Sequence, residues 1–587
     1  MKKQILSLLL VLAMVFSFTG CSTSTQPETK EIIAQGALKD GTYEGTADGN
    51  NGPLTVTMTV KDGKIASAEV TKHSESKGIS DEAIASIPKA IAEGQTLAVD
   101  TISGATNSSK GILVAAAECI KAAGGNPEDF KVLAIKEKTE GSKEVKKLEA
   151  DVLVIGAGMS GISSSLAAAN NGADVILLEK QSFAGGNAIL STGILQAAGS
   201  TLQAASGIED SPEKYYEDMT ALTEGKRDPI LVKMVTERSG ETIDWLIENG
   251  AVFNEEVKQG VGSTAYRAHS SAPDASGLVN KLMEAIEQKV DVHYNTAATE
   301  LLFEDGKVVG AKAVQTDGTP LEIRANSVIL SSGGFAGDKE LVKKYAGEKT
   351  ENMVYVGSPG TTGEMIEEAI KLGAATVDMD KLFNAPTNSV ENKQLITAMV
   401  LSSGAVMINQ DGERFCNETG SPNDYFNDIL NTGDEYVYEV FDKSVVEKVY
   451  KLEAVYMKQG IVEEAANIEE LAEKMNVPVE TLKQSLDTYN ASVNGAADPF
   501  GRNIFGKPLK EGPFYFIKVA TGYLSTNGGL RIDETARVLK EDGTPIQGLY
   551  ASGDAVGGYR PYGYVCGDAN ILAAVTGRIA GENASKK

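Results

Sequence analysis

The chain is poor in the residues that build metal and disulfide frameworks. Its 587 residues include four cysteines, three histidines and one tryptophan. Cys21, Cys119, Cys416 and Cys566 lie far apart, which excludes a disulfide ladder or a paired-cysteine zinc site. No metal is expected. Positive charge is also scarce. Against 81 Asp and Glu stand 55 Lys and Arg, a net charge of -26, which argues against nucleic acid or anionic lipid as a direct partner. What is abundant is glycine, at 61 residues, within a 42% hydrophobic composition. That suits a globular α/β protein with many tight turns, and the length suits three or more domains.

The N-terminus reads as a targeting segment over 1–20. Lys2-Lys3 precede an apolar stretch from Ile5 to Phe16, and Phe18-Thr19-Gly20-Cys21 reads as a lipobox. The apolar run is too short for a membrane span. Cleavage would leave Cys21 as the lipidated first residue, anchored to the cell membrane on its extracytoplasmic face. Residues 21–37 form a polar tether.

From 38 to 126 runs a compact α+β unit. Leu54–Val60 alternates apolar and polar as a half-buried strand, Asp62-Gly63 signals a hairpin, Ile65–Val70 is the return strand, and Ser108–Ala123 is helical. A charged linker covers 127–149. The pattern then becomes α/β: a buried strand at Val152–Ile155, a glycine turn, an Ala-rich helix and a second parallel strand ending at Glu179. This predicts a Rossmann-type doubly wound sheet over 150–378 and 525–587. Residues 379–524 lack that rhythm and read as an inserted α+β cap.

The glycine turn is G-x-G-x-x-G at Gly156, Gly158 and Gly161. The first glycine makes the turn, the second lets a pyrophosphate approach the backbone, and the third lets helix pack on strand. Glu179 is placed to accept from ribose hydroxyls. No second such unit appears, so no nicotinamide site is expected.

Two resemblances extend this reading. Gly185–Gly193, Tyr266–His269, Ser332–Phe335 and Gly548–Gly558 resemble, in order and spacing, the flavin-contacting stretches of the soluble fumarate reductase and flavocytochrome c family, its urocanate reductase-like members included. The resemblance implies noncovalent FAD at Ala157, Glu179, Asn187, Ala188, Ser191, Gly193, Asp554, Ala569 and Ile571, with Ala298 on the adenine side. Separately, His73–Glu75, Ser80–Ala83, Ile87-Pro88 and Asp100–Thr106 resemble the small FMN-binding domain of bacterial respiratory flavoproteins. That implies FMN attached covalently to the Thr106 hydroxyl by a flavin transferase.

The resemblance fails where the family binds its dicarboxylate. The cap holds no histidine and two arginines, Arg414 and Arg502. Ala385-Pro386-Thr387 stands for the family's His-Pro-Thr, Leu401–Ala405 for its Arg-Gly-x-Gly-Ala, and Tyr564 for its last arginine. Fumarate is therefore not the expected substrate. In its place stands a cluster of Tyr559, Arg560, Tyr562 and Tyr564, in which a tyrosine can donate a proton and Arg560 can bind one carboxylate.

The expectation is an extracytoplasmic respiratory reductase. Electrons come from a membrane donor, a quinol or a flavin-reducing dehydrogenase. They enter through FMN, pass to FAD and reduce the activated C=C bond of a small-molecule acceptor, an enoate or enone. The alternative is an electron-transfer flavolipoprotein serving external acceptors without a dedicated organic substrate.

Overall fold

The computed structural model describes residues 38–75, 80–99, 102, 105–130, 142–260, 262–560 and 565–586. The signal segment, the tether, Cys21, four residues of the Asp100–Thr106 heptapeptide (100, 101, 103 and 104), and Tyr562 and Tyr564 lie outside them.

The first unit is a three-stranded antiparallel meander, β1 (Gly41–Asp48), β2 (Pro53–Lys61) and β3 (Lys64–Lys72). Helices α1 (Asp81–Gly94) and α2 (Thr106–Ala122) cover one face. Asp62 and Gly63 both take positive φ, 54° and 73°, the backbone of a tight hairpin whose twist matches its strands. The alternation in β2 buries Leu54, Val56, Met58 and Val60 against Ile87, Ile91, Ile112, Ala116 and Ile120. Helix α2 lies so close to β1 that a Cβ on Gly45 would stand 2.0 Å from the Ala115 carbonyl oxygen.

The expected linker is shorter than its charge pattern suggests. Residues Pro127–Phe130 belong to the first unit, where Phe130 is buried and its carbonyl accepts from Leu97 N–H at 2.6 Å. At the other end, β4 already begins at Lys146 and runs to Ile155, paired in parallel with Leu321–Leu330.

The second unit has a parallel core. In the order Pro545–Ala551, Pro320–Leu330, β4, β5 (Val175–Leu178), Asp291–His293, every neighbouring pair is parallel. The sheet as a whole is mixed rather than purely parallel. Thr296–Glu304, Lys307–Gln315 and Pro320–Leu330 form an antiparallel meander, turned at Asp305 and Gly306, both with positive φ. Helix α3 (Met159–Asn170) follows β4 and packs against the closing helix Asp568–Ala584, where Gly577 and Gly581 admit the Ser160 and Ser164 carbonyls at 2.3 and 2.2 Å from a would-be Cβ.

The cap has its own antiparallel sheet, Val406–Ile408, Val437–Asp442, Glu463–Ala465 and Phe514–Thr526, joined by Leu382–Ser389. Separate apolar clusters lie on it, one around Tyr456 and Ile517, one around Leu482 and Phe516. Its last strand continues past 524 and pairs with Val354-Tyr355, so cap and flavin domain share a strand rather than a flexible joint. Among the described residues no helix is long and apolar enough to cross a membrane.

Candidate active site

One cavity of about 840 Å³ runs from the glycine turn to the cap. At the β4–α3 turn the three glycines divide their work. A Cβ on Gly156 (φ 101°) would meet the Ser331 carbonyl oxygen at 2.5 Å, and one on Gly161 the Gly156 carbonyl oxygen at 1.7 Å. On Gly158 the nearest atom would be 4.0 Å away. The outer two glycines are thus required by the fold, while Gly158 opens to the cavity as the cradle a pyrophosphate needs, at the start of α3.

Glu179 ends β5 and accepts from the N–H of Ala157 and of Gln181, each at 2.8 Å. Burial pushes its carboxyl above the usual carboxylate range, against those two donors. Ala298 lines the same end. Farther along, Asn187 accepts from Ser358 N–H at 2.8 Å and reaches Asp554 at 3.5 Å. Ala188, Ser191, Asp554 and Ala569 line the wall, and Asn570 donates to Ser191 Oγ at 3.0 Å. The hydroxyl of Ser332, also in the wall, has no partner among the described residues. An open glycine cradle, a ribose-facing acid and an orphaned hydroxyl are what an extended dinucleotide would occupy, and FAD fits.

Three expected contacts are placed differently. Ile571 is fully buried in the core beneath the wall, because the helix turns it inward while Ala569 and Asn570 face the cavity. Gly193 (φ 71°) is a packing glycine, with space for a Cβ blocked by Ser271 Oγ at 2.1 Å. Ala157 gives its N–H to Glu179 and lies behind the wall. Ser332 and Asn570, which fall within the two stretches expected to meet the flavin, line the cavity, and so do Arg227, Lys180 and Asp568, which no motif singled out. Of these three, Asp568 could have been found as the first residue of the closing helix; Arg227 carries no motif.

At the far end Arg560 enters the wall. Its Nη1 donates to Asp554 Oδ1 at 2.8 Å and to Ser525 Oγ at 3.2 Å, and the guanidinium lies 5.0 Å from the Phe383 ring centre. Leu524, Phe383, Lys393, Gln394, Leu395 and Lys451 complete this end. Tyr559 does not join it. Its side chain is fully buried, its hydroxyl donates to Asp568 Oδ1 at 2.8 Å, and burial holds the pKa of that hydroxyl well above the usual tyrosine value. A phenol so placed cannot serve as an acid toward a bound substrate. Cys566 lines the cavity with Thr192 Oγ1 at 3.8 Å.

Both cap arginines are structural. Arg414 pairs with Glu418 and Asp498 at 2.8 and 2.5 Å, and Arg502 with Glu418 at 2.9 Å while capping the Leu401 and Ala405 carbonyls. Burying that cluster fully satisfied is what makes it tolerable.

In the first unit, Glu75 is buried and gathers the residues around the Thr106 helix. It accepts from Asn50 N–H at 3.1 Å, from Asn51 N–H at 2.9 Å, and from the Ser108 hydroxyl. Ile102 N–H donates to Ser109 Oγ at 3.0 Å, folding the end of the heptapeptide back onto α2.

Comparison with known proteins agrees with this geometry. An FAD binding domain family matches residues 151–569, and an FMN-binding domain family residues 49–121. The urocanate reductase of Eggerthella lenta is 32% identical over 97% of this chain and 96% of its own length. An NADH:acrylate oxidoreductase of Vibrio harveyi is 33% identical over 93% of this chain, which spans only 61% of that protein. An open-conformation flavocytochrome c3 fumarate reductase superposes with a TM-score of 0.72 at 30% identity, over 78% of this chain and 83% of that one. The chain belongs to this family of FAD-dependent oxidoreductases, with an FMN-binding domain ahead of its FAD binding domain.

Proposed function

We propose that the chain reduces the activated C=C bond of an enoate or enone other than fumarate, on the outer face of the cell membrane. The observation that carries this is Arg560. It is the arginine at the cap end of the cavity, held by Asp554 and set beside Phe383, Leu395 and Leu524. The other arginine of the wall, Arg227, is buried to 1% exposure against Asp568 at 2.7 Å, whereas Arg560, paired to Asp554, keeps 10% exposed. A dicarboxylate is best gripped by a planar guanidinium fork at each end, which the wall lysines Lys393 and Lys451 do not supply. An acceptor with one carboxylate or carbonyl asks for Arg560 and an apolar surface for its remainder.

FAD in the cavity would supply hydride, and FMN held at Thr106 would supply electrons. The chain's own residues do the rest. Arg560 binds the carboxylate or carbonyl oxygen and draws charge from the double bond. Asp554 and Ser525 orient its guanidinium. Phe383 and Leu524 exclude water around the reacting carbons. Tyr562 or Tyr564, just beyond Arg560 in sequence, delivers the proton. The lipid on Cys21 brings the FMN domain to its membrane donor, a quinol or a flavin-reducing dehydrogenase.

The test is oxidation of the viologen-reduced protein by a panel of enoates, enones and fumarate under anaerobic conditions. Fastest oxidation by a monocarboxylate or enone is expected. Fastest oxidation by fumarate overturns the reading, and turnover with none of the panel favours an electron carrier.

A further inference from the structure

A buried triad backs the cavity wall. Asp568, the first residue of the closing helix, accepts from Arg227 Nη1 at 2.7 Å on one oxygen and from the Tyr559 hydroxyl at 2.8 Å on the other. The Arg227 guanidinium lies over the Tyr559 ring, 4.4 Å from its centre. Both charged side chains are almost wholly buried, at 1% and 6% exposure, yet both residues line the cavity. Tyr559 and Asp568 lie close in sequence, while Arg227 comes from a distant part of the chain. A backbone bond from Asp228 N–H to the Gly558 carbonyl, 2.8 Å, ties the two loops together.

We propose that this triad sets the reduction potential of the FAD, with Tyr559 as its positioning residue. Reduction adds negative charge to the flavin. A guanidinium and a helix N-terminus in the wall favour that charge, and the Asp568 carboxylate opposes it. In a dry site the balance between them is strongly felt. Tyr559 tilts it in two ways. Its hydroxyl takes up part of the carboxylate's charge through a charge-assisted hydrogen bond, and its ring fixes the guanidinium by a cation–π contact. Because burial keeps the phenol protonated, the donation is constant across the physiological pH range. The inference rests on FAD occupying the cavity, not on which acceptor it reduces.

The test is a redox titration of the full protein carrying both flavins, reading the FAD and FMN midpoints separately. Asp568→Asn removes the opposing charge and keeps the shape; the FAD midpoint is expected to rise. Tyr559→Phe keeps the ring and removes the donor; the FAD midpoint is expected to fall. The FMN midpoint should stay in place in both, an internal control that a general loosening of the fold would not respect. FAD midpoints that do not move, or that move in the same direction, overturn the proposal. So does either variant folding without FAD, which would make the triad a scaffold for binding only. The acceptor panel fails or succeeds independently, because this titration contains no acceptor.

Discussion

Asn107 and Asn50 are joined side chain to side chain, with Asn107 Nδ2 donating to Asn50 Oδ1 at 3.1 Å. Asn107 follows Thr106, and Asn50 lines the FAD cavity. One hydrogen bond thus separates the neighbour of Thr106, the proposed FMN attachment site, from the FAD wall. Thr106→Ala is expected to abolish the covalent flavin, seen as loss of the fluorescent band in a denaturing gel. FAD content and viologen-linked activity should persist, and activity from the membrane donor should be lost.

Arg560 tests the acceptor site. Arg560→Lys keeps the charge but loses the planar fork that grips a carboxylate. Removing such a contact costs about 1.5–3 kcal/mol, so kcat/KM for an enoate should fall roughly 10- to 100-fold. FAD content should not change. Steady-state kinetics with the best acceptor of the panel checks it.

The glycine turn offers a contrast within one motif. Gly161→Ala would drive a methyl to 1.7 Å from a backbone oxygen, so poor folding and a lowered Tm are expected. Gly158→Ala meets nothing closer than 4.0 Å in the protein, so the protein should fold and lack FAD. Thermal denaturation and flavin content together separate the two.

Glu439 sits in the cap sheet, fully buried, with no charged partner among the described residues and the Thr387 side chain near its carboxyl. Burial pushes it up to about 8, with Thr387 the one group that lowers it. Unfolded, it titrates at about 4.3. Between those values the folded state holds the extra proton, so stability is greatest below about 4.3 and falls as pH rises to about 8, by on the order of 5 kcal/mol at most. Tm measured from pH 5 to 9 should decline in the native protein and more shallowly in Glu439→Gln.

The cofactor-binding architecture was legible because its signals are local. A strand, a glycine turn and a helix at Val152–Asn170 carry their geometry in spacing, and the hairpin at Asp62-Gly63 carries its own in backbone freedom. Strand β1 and helix α1 were not read: β1 shows no clean apolar alternation, and α1, though Ala83, Ile87, Ala90 and Ile91 fall on one helical face, carries Pro88 in its interior, which argues against a helix. The mixed sheet was missed for a related reason: an antiparallel meander and a parallel strand look alike in sequence. At the candidate site the motif residues could be listed, but not sorted into those that touch the cavity and those that support it.

By itself the sequence determined a dinucleotide-binding turn at Gly156–Gly161, and its resemblance to two flavoprotein families implied two flavin units, their order and a cap without the family's dicarboxylate-binding arginines and histidines. Those follow from which residues are present and how they are spaced. Only the tertiary structure decided that Arg560 faces the cavity while its neighbour Tyr559 turns away to Asp568. Adjacent residues in a loop point apart according to the partners that await them. Here the partner was a carboxylate already held by Arg227, 341 residues from Asp568 along the chain.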